Sequence, residues 1–119
     1  MSVRVEIGAL HAKVDEIGGH AFLVTVGDAG TAHVASTVPQ HDGDRLRVPA
    51  GRTSRANATA NPAVTLVWPS ADAGSYALIV DGDATIDGDD VVVEPQSAIL
   101  HRLATADASL PGCVPVEQA

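Results

Sequence analysis

Apolar residues in this chain come in short runs that end at glycine, proline or aspartate, and this punctuation limits the fold to a sheet of short strands. AFLVTV at 21–26, AVTLVW at 63–68 and YALIVDGDATI at 76–86 read as strands. Gly27-Asp28-Ala29-Gly30 and Asp87-Gly88 read as turns. A strand over 31–38 follows the first, and after a turn at Asp42-Gly43 a third covers 45–48, so these three are expected as a meander. Residues 91–94 return from the Asp87-Gly88 hairpin, Pro95 interrupts, and 97–103 resumes as strand, although Ile99 and Leu103 also fit a helix. At the N-terminus Val3, Val5 and Ile7 alternate as in a short strand or extended arm.

Two segments break the period. Leu10, Val14 and Ile17 recur at helical spacing over 8–18, ended by Gly18-Gly19. Arg52 to Ala60 is alanine-rich, with Thr53 and Ser54 as candidate N-caps and Pro62 as its limit. Apolar residues make up 45% of the chain, yet most are Val and Ala, and only Phe22, Trp68 and Tyr76 are aromatic. A core of many small pieces suits a barrel, which also removes exposed strand edges. The expectation is a mostly β fold: a six-stranded antiparallel barrel, one N-terminal helix, and one helix inserted after the third strand. The domain covers 1–103, and 104–119 is a tail without periodicity. At 119 residues the chain holds one core, and burial against a second copy would add stability.

A formal charge of −8 argues against nucleic acid or an anionic membrane as partner. No apolar run is long enough to span a bilayer, and MSVRVEIG lacks a signal-peptide core. Cys113 is the single cysteine, so no internal disulfide forms and a cytoplasmic location is expected. The five histidines show no ligand spacing. Asp81, Asp83, Asp87, Asp89 and Asp90 lack the spacing of a calcium loop, so no metal is expected. Nucleophile-elbow, Walker and dinucleotide motifs are absent.

Against this acidity, RLRVPAGRTSR at 45–55 gathers four of the seven basic residues, and no acid falls between Arg45 and Ala71. Arg52 and Arg55 share a face at a helix start, where N–H groups, the hydroxyls of Thr53 and Ser54 and two guanidiniums converge on a phosphate. The competing reading is a pair of salt bridges to nearby acids. Arg45 and Arg47 alternate on one strand face, either lining the same groove or facing solvent. The small side chains of Ala35, Ser36 and Thr37 leave room for a flat ring, or they are a packing compromise. His33 is read as structural, Asn57 as a brace for the helix, and Trp68 as filling a subunit interface rather than stacking on a ring.

The order of these pieces resembles the pyridoxamine-5′-phosphate-oxidase-like split-barrel proteins, which bind FMN or a deazaflavin. Gly30, His33-Val34, Arg52 to Asn57, Asn61-Pro62 and Val64 to Val67 stand in the family's sequence. The resemblance covers about residues 8–103. It implies a homodimer with two cofactor sites at the interface. It also implies cofactor phosphate held by Arg52, Thr53, Ser54 and Arg55; Arg47, from its strand face, and Ala35 and Thr37, from their small side chains, complete the candidate set. Ala32 replaces the usual proline before His33 and Ala58 the frequent leucine after Asn57, the chain is shorter than characterised oxidases of this group, and its tail lacks aromatics to cover a substrate, so the named oxidase's activity is not carried over. The expected function is an FMN- or deazaflavin-dependent oxidoreductase acting through its cofactor. The alternatives are a non-catalytic cofactor-binding protein and a structural dimer with a degenerate site that holds no cofactor.

Overall fold

A computed structural model describes residues 2–72 and 74–102; the tail at 104–119 and Cys113 lie outside them. The chain runs β1 (Ser2–Val5), a single 3-10 turn (Ile7–Ala9), α1 (Leu10–Ile17), β2 (Ala21–Val26), β3 (Ala32–Thr37), β4 (Gln40–Asp42), β5 (Arg45–Pro49), α2 (Arg52–Ala60), β6 (Ala63–Trp68), β7 (Tyr76–Asp87) and β8 (Asp90–Arg102). The eight strands make one curled antiparallel sheet in the order β3-β2-β6-β7-β8-β5-β4, with β1 also paired to β8. This is the expected mostly β half-barrel with two helices, built from eight strands instead of six. The added strands are the N-terminal arm and Gln40–Asp42, a three-residue piece that the turn at Gly43 (φ 61°) folds onto β5.

One expectation is corrected by the topology. β2 and β3 pair, but β5 does not continue that meander; it lies beyond β8, at the far side of the sheet. Pro39, one residue beyond the end of β3 after Val38, has no N–H for a ladder, so the chain leaves that edge and crosses to the other. α2 follows Arg45–Pro49, the strand expected before it, which the two added strands make the fifth in chain order. Turn chemistry accounts for the rest: Gly30 (φ 83°) and Gly88 (φ 62°) occupy the left-handed region that tight hairpins require.

β8 also differs from its expectation, running unbroken through Pro95. Asp81 faces Ser97 whereas Gly82 faces Pro95, so Gln96 is the extra residue of a bulge. A bulge relieves the missing proline donor and bends the strand. Beyond the bend β8 changes partner, pairing β5 through Val91–Val93 and β1 through Ala98–His101. Gly82 is required at the crossing, because a Cβ there would stand 2.6 Å from both the Glu94 carbonyl oxygen and Val93 Cγ1. Gly82→Ala is therefore expected to lower the unfolding free energy by about 2 kcal/mol, read by urea denaturation. An unchanged midpoint would show that the two strands part freely here.

Strand alternation sorts side chains into an inner and an outer face. Inside lie Leu23, Leu66, Leu78, Val80, Val91, Val93 and Ala98, all buried, with Leu10 and Val14 of α1 and Ala58 of α2 closing the core. Trp68 belongs to this set, fully buried. The interface role expected for it is thus corrected: alternation from Val64 and Leu66 carries the ring inward. Outside, the strand register aligns Phe22, Val67, Ile79 and Ile99 in one row, with Val24 and Val34 beside it. Val34 is 57% exposed. None of these outer residues packs against the buried core.

Candidate functional site

α2 begins where three segments meet. β5 ends at Pro49, whose carbonyl accepts a hydrogen bond from Thr37 Oγ1 at 2.9 Å, tying the end of β3 to the entry of the helix. The Ala50 N–H donates to the Asp89 carbonyl at 3.3 Å, so the β7–β8 turn forms a third wall. Gly51 is the N-cap in extended conformation, with no side-chain cap; Thr53 and Ser54 stand inside the first turn. The Arg55 N–H closes the first helical bond onto the Gly51 carbonyl at 3.0 Å. That leaves the N–H groups of Arg52, Thr53 and Ser54 without an intrahelical acceptor, at the positive end of the helix.

The side chains of this turn point different ways. Arg52 and Thr53 are exposed, and Arg52 has no ion pair among the described residues. Ser54 is 1% exposed under the helix, and its Oγ has no hydrogen-bond partner among the described residues. Arg55 folds back, half-buried, with Nη1 donating to the Ala50 carbonyl and lying 3.9 Å from Asp89 Oδ1. Two residues on, Asn57 Nδ2 donates to Thr25 Oγ1 at 3.2 Å, bracing α2 against β2.

Arg47 sits in different surroundings. Its Nη1 donates to Asp90 (3.1 Å), and its Nη2 to Asp87 (3.0 Å) and Asp42 (3.2 Å), so both ends of the fork meet carboxylates. Those carboxylates, Asp90 foremost, then Asp87 and Asp42, raise the guanidinium's pKa despite an opposing effect of burial. A raised folded-state pKa gives stability that is complete below the unfolded value and is lost only as pH rises through the folded one, far above neutrality. Arg47 therefore clamps β4–β5 to the β7–β8 turn at every ordinary pH. Arg47→Met should leave three acids without their cation and lower the melting temperature at pH 7, with the loss shrinking in 1 M salt. A salt-independent loss would mean that packing, not charge, is what Arg47 supplies.

Of the expected residues, the fold thus brings together Thr37, Arg52, Thr53, Ser54 and Arg55, and places Arg47 among acids along the same strand end. Ala35 and Thr37 share the inner face of β3, paired with Leu23 and Ala21. Sequence reasoning missed Asp89, which meets both Ala50 and Arg55; the only signal was its place in a turn far along the chain. A cavity of about 620 Å³ at the end of the barrel was also missed. No helix among the described residues is long and apolar enough to cross a membrane.

No family profile matches the chain. It is 35% identical over 113 residues to an uncharacterised protein of Mycobacterium bovis and, with the same figures, to one of Mycobacterium tuberculosis; the match covers 79% of this chain and 80% of each relative. Among solved structures, it is similar to a Listeria innocua protein named for pyridoxamine 5′-phosphate oxidase (TM-score 0.62, 20% identity, 76% of this chain and 97% of that one). It is also similar to an FAD-binding protein of Mycobacterium smegmatis (TM-score 0.60, 15% identity, 86% and 100%) and to an F420 reductase (TM-score 0.55, 22% identity, 67% and 88%). The fold is that of the pyridoxamine-5′-phosphate-oxidase-like split barrels. The chain belongs to one family with the two mycobacterial proteins.

Proposed function

We propose that this protein binds a flavin-type cofactor, FMN or a deazaflavin, with its phosphate at the start of α2. One observation carries the reading: three N–H groups without intrahelical acceptors stand beside an exposed arginine that no carboxylate among the described residues neutralises, in a chain of net charge −8. Arg52 and Thr53 are the groups that reach a phosphate directly. Arg55 flanks them, and Thr37 holds the turn in place through Pro49. The bound cofactor would supply hydride chemistry; this chain would hold and orient it and shield it from water. The solved structures of this fold named for FAD and F420 support a cofactor of that kind.

The reading includes a homodimer and an oxidoreductase activity. Phe22, Val24, Val34, Val67, Ile79 and Ile99 form an apolar outer row that a second copy would cover, burying surface a small domain otherwise leaves wet. Sedimentation at micromolar concentration should then give twice the chain mass, and Val34→Glu should give the monomer. A second reading, a structural dimer with a degenerate site, is favoured by the acids already satisfying Arg47 and by the inward turn of Arg55. Titration with FMN and with a deazaflavin, followed by absorbance, separates the two: binding of either supports the cofactor reading, and binding of neither overturns it. Reduction of the bound cofactor by a nicotinamide donor, with turnover on an acceptor, would identify the enzyme.

A further inference from the structure

Carboxylates crowd one side of the α2 start. Asp89 lies against it: its carbonyl accepts the Ala50 N–H at 3.3 Å, and its Oδ1 stands 3.9 Å from Arg55 Nη1, on a side chain that is 95% exposed. Asp90 pairs with Pro49 in the β5–β8 ladder. Asp87 and Asp42 extend this wall through Arg47, whose fork they share with Asp90. Arg47 therefore brings no spare charge to an incoming anion. Arg45 stands at the other end of β5, about 13 Å from Pro49 at the rise of a strand.

The donors at the helix start suit one anionic group. They are three N–H groups without intrahelical acceptors and the exposed side chains of Arg52 and Thr53. Ser54 is buried, and Arg55 gives Nη1 to the Ala50 carbonyl. A phosphomonoester gathers close to two negative charges on a single group. A diphosphate spreads the same charge over two groups, and the second has to find its own partners. Around this site three guanidiniums (Arg47, Arg52 and Arg55) face four carboxylates (Asp42, Asp87, Asp89 and Asp90). Such charges act over roughly 10 Å before salt screens them. Of the four acids, Asp89 is the most exposed, and among the described residues it alone lies within ion-pair distance of α2.

We propose that Asp89 is a specificity-determining residue: it restricts the α2 site to a cofactor whose negative charge ends at one phosphomonoester. A cofactor with a further anionic group beyond that phosphate, such as the diphosphate of FAD, is repelled. Selection then comes from a repulsive element beside the attractive one. The inference rests on the cofactor reading of this site and sharpens it.

Calorimetric titration of the full-length protein with riboflavin, FMN and FAD tests it. The step from riboflavin to FMN reports the phosphate site, and the step from FMN to FAD reports the selection. FMN should bind about tenfold tighter than FAD, or more. Asp89→Asn should narrow that ratio about threefold or more, while Asp89→Glu, which keeps the charge, should preserve it. FAD binding as tightly as FMN overturns the proposal and leaves the cofactor reading standing. An unchanged ratio in folded Asp89→Asn does the same, since the selection would then lie in the bulk of the adenosine. FMN binding no tighter than riboflavin would move the phosphate away from α2 and overturn the proposal with it. Should none of the three bind, the proposal falls, and the deazaflavin titration decides whether the cofactor reading falls too. Asp89→Ser takes the place of Asp89→Asn if that variant does not fold.

Discussion

Replacing Arg52 and Arg55 together with alanine is expected to weaken FMN binding at least ~100-fold while the fold is retained. Hydrogen bonds from a guanidinium to an ionised group contribute about 1.5–3 kcal/mol each, so losing two reaches that factor on the lower estimate. Neither side chain is part of the buried core: Arg52 is exposed, and among the described residues Arg55 is bound to the Ala50 carbonyl and distantly to Asp89. A circular-dichroism melt within a few degrees of the parent would establish that the variant folds. The single variants should rank Arg52 above Arg55, because Arg55 already spends one donor inside the protein. Unchanged affinity in the folded double variant would move the phosphate away from α2.

The second large effect concerns stability. Trp68→Ala is expected to cost about 3–5 kcal/mol, a large share of the total for a domain of this size. Trp68 is the largest fully buried side chain in a core otherwise made of Leu, Val and Ala, so no neighbour is big enough to fill the space it leaves. Trp68→Phe should cost less than half as much, since it keeps most of the ring and removes the unsatisfied Nε1 donor. Chemical denaturation of both variants checks this. If the two lose equal stability, the indole N–H has a partner that matters and the volume argument fails.

Much of the local structure was legible because its boundaries are set by local chemistry. β2, α2 and β6 fall at the expected residues: Gly27 and Gly30 stop β2, Gly51 and Pro62 bracket α2, and Pro69 ends β6. The reach of β8 through Pro95 was not legible, because the bulge that accommodates proline depends on Gly82 in the facing strand. Nor was the crossing from β3 to β4 readable: strand order depends on which faces find partners, not on the pattern of any one strand. The candidate site shows the same division. Arg52–Arg55 at a helix start could be read from a few residues, and the fold places them there. The three acids around Arg47 could not, because Asp87 and Asp90 reach it only through the pairing of β5 with β8. The direction of Trp68 depended in turn on knowing which face of β6 is inner.

The bend in β8 has a consequence for how the chain comes to be folded. The strand closest to the N-terminus, β1, finds its ladder only on Ala98–His101, at the opposite limit of the described chain. During synthesis it must wait, solvated, until β8 has been made. The β7–β8 hairpin, closed by a tight local turn, is the piece able to assemble early and offer its outer edge to both β5 and β1. Such distant pairing predicts refolding on the millisecond-to-second scale typical of β topologies. Stopped-flow kinetics should show Gly88→Val slowing refolding, while Val3→Ala mainly hastens unfolding.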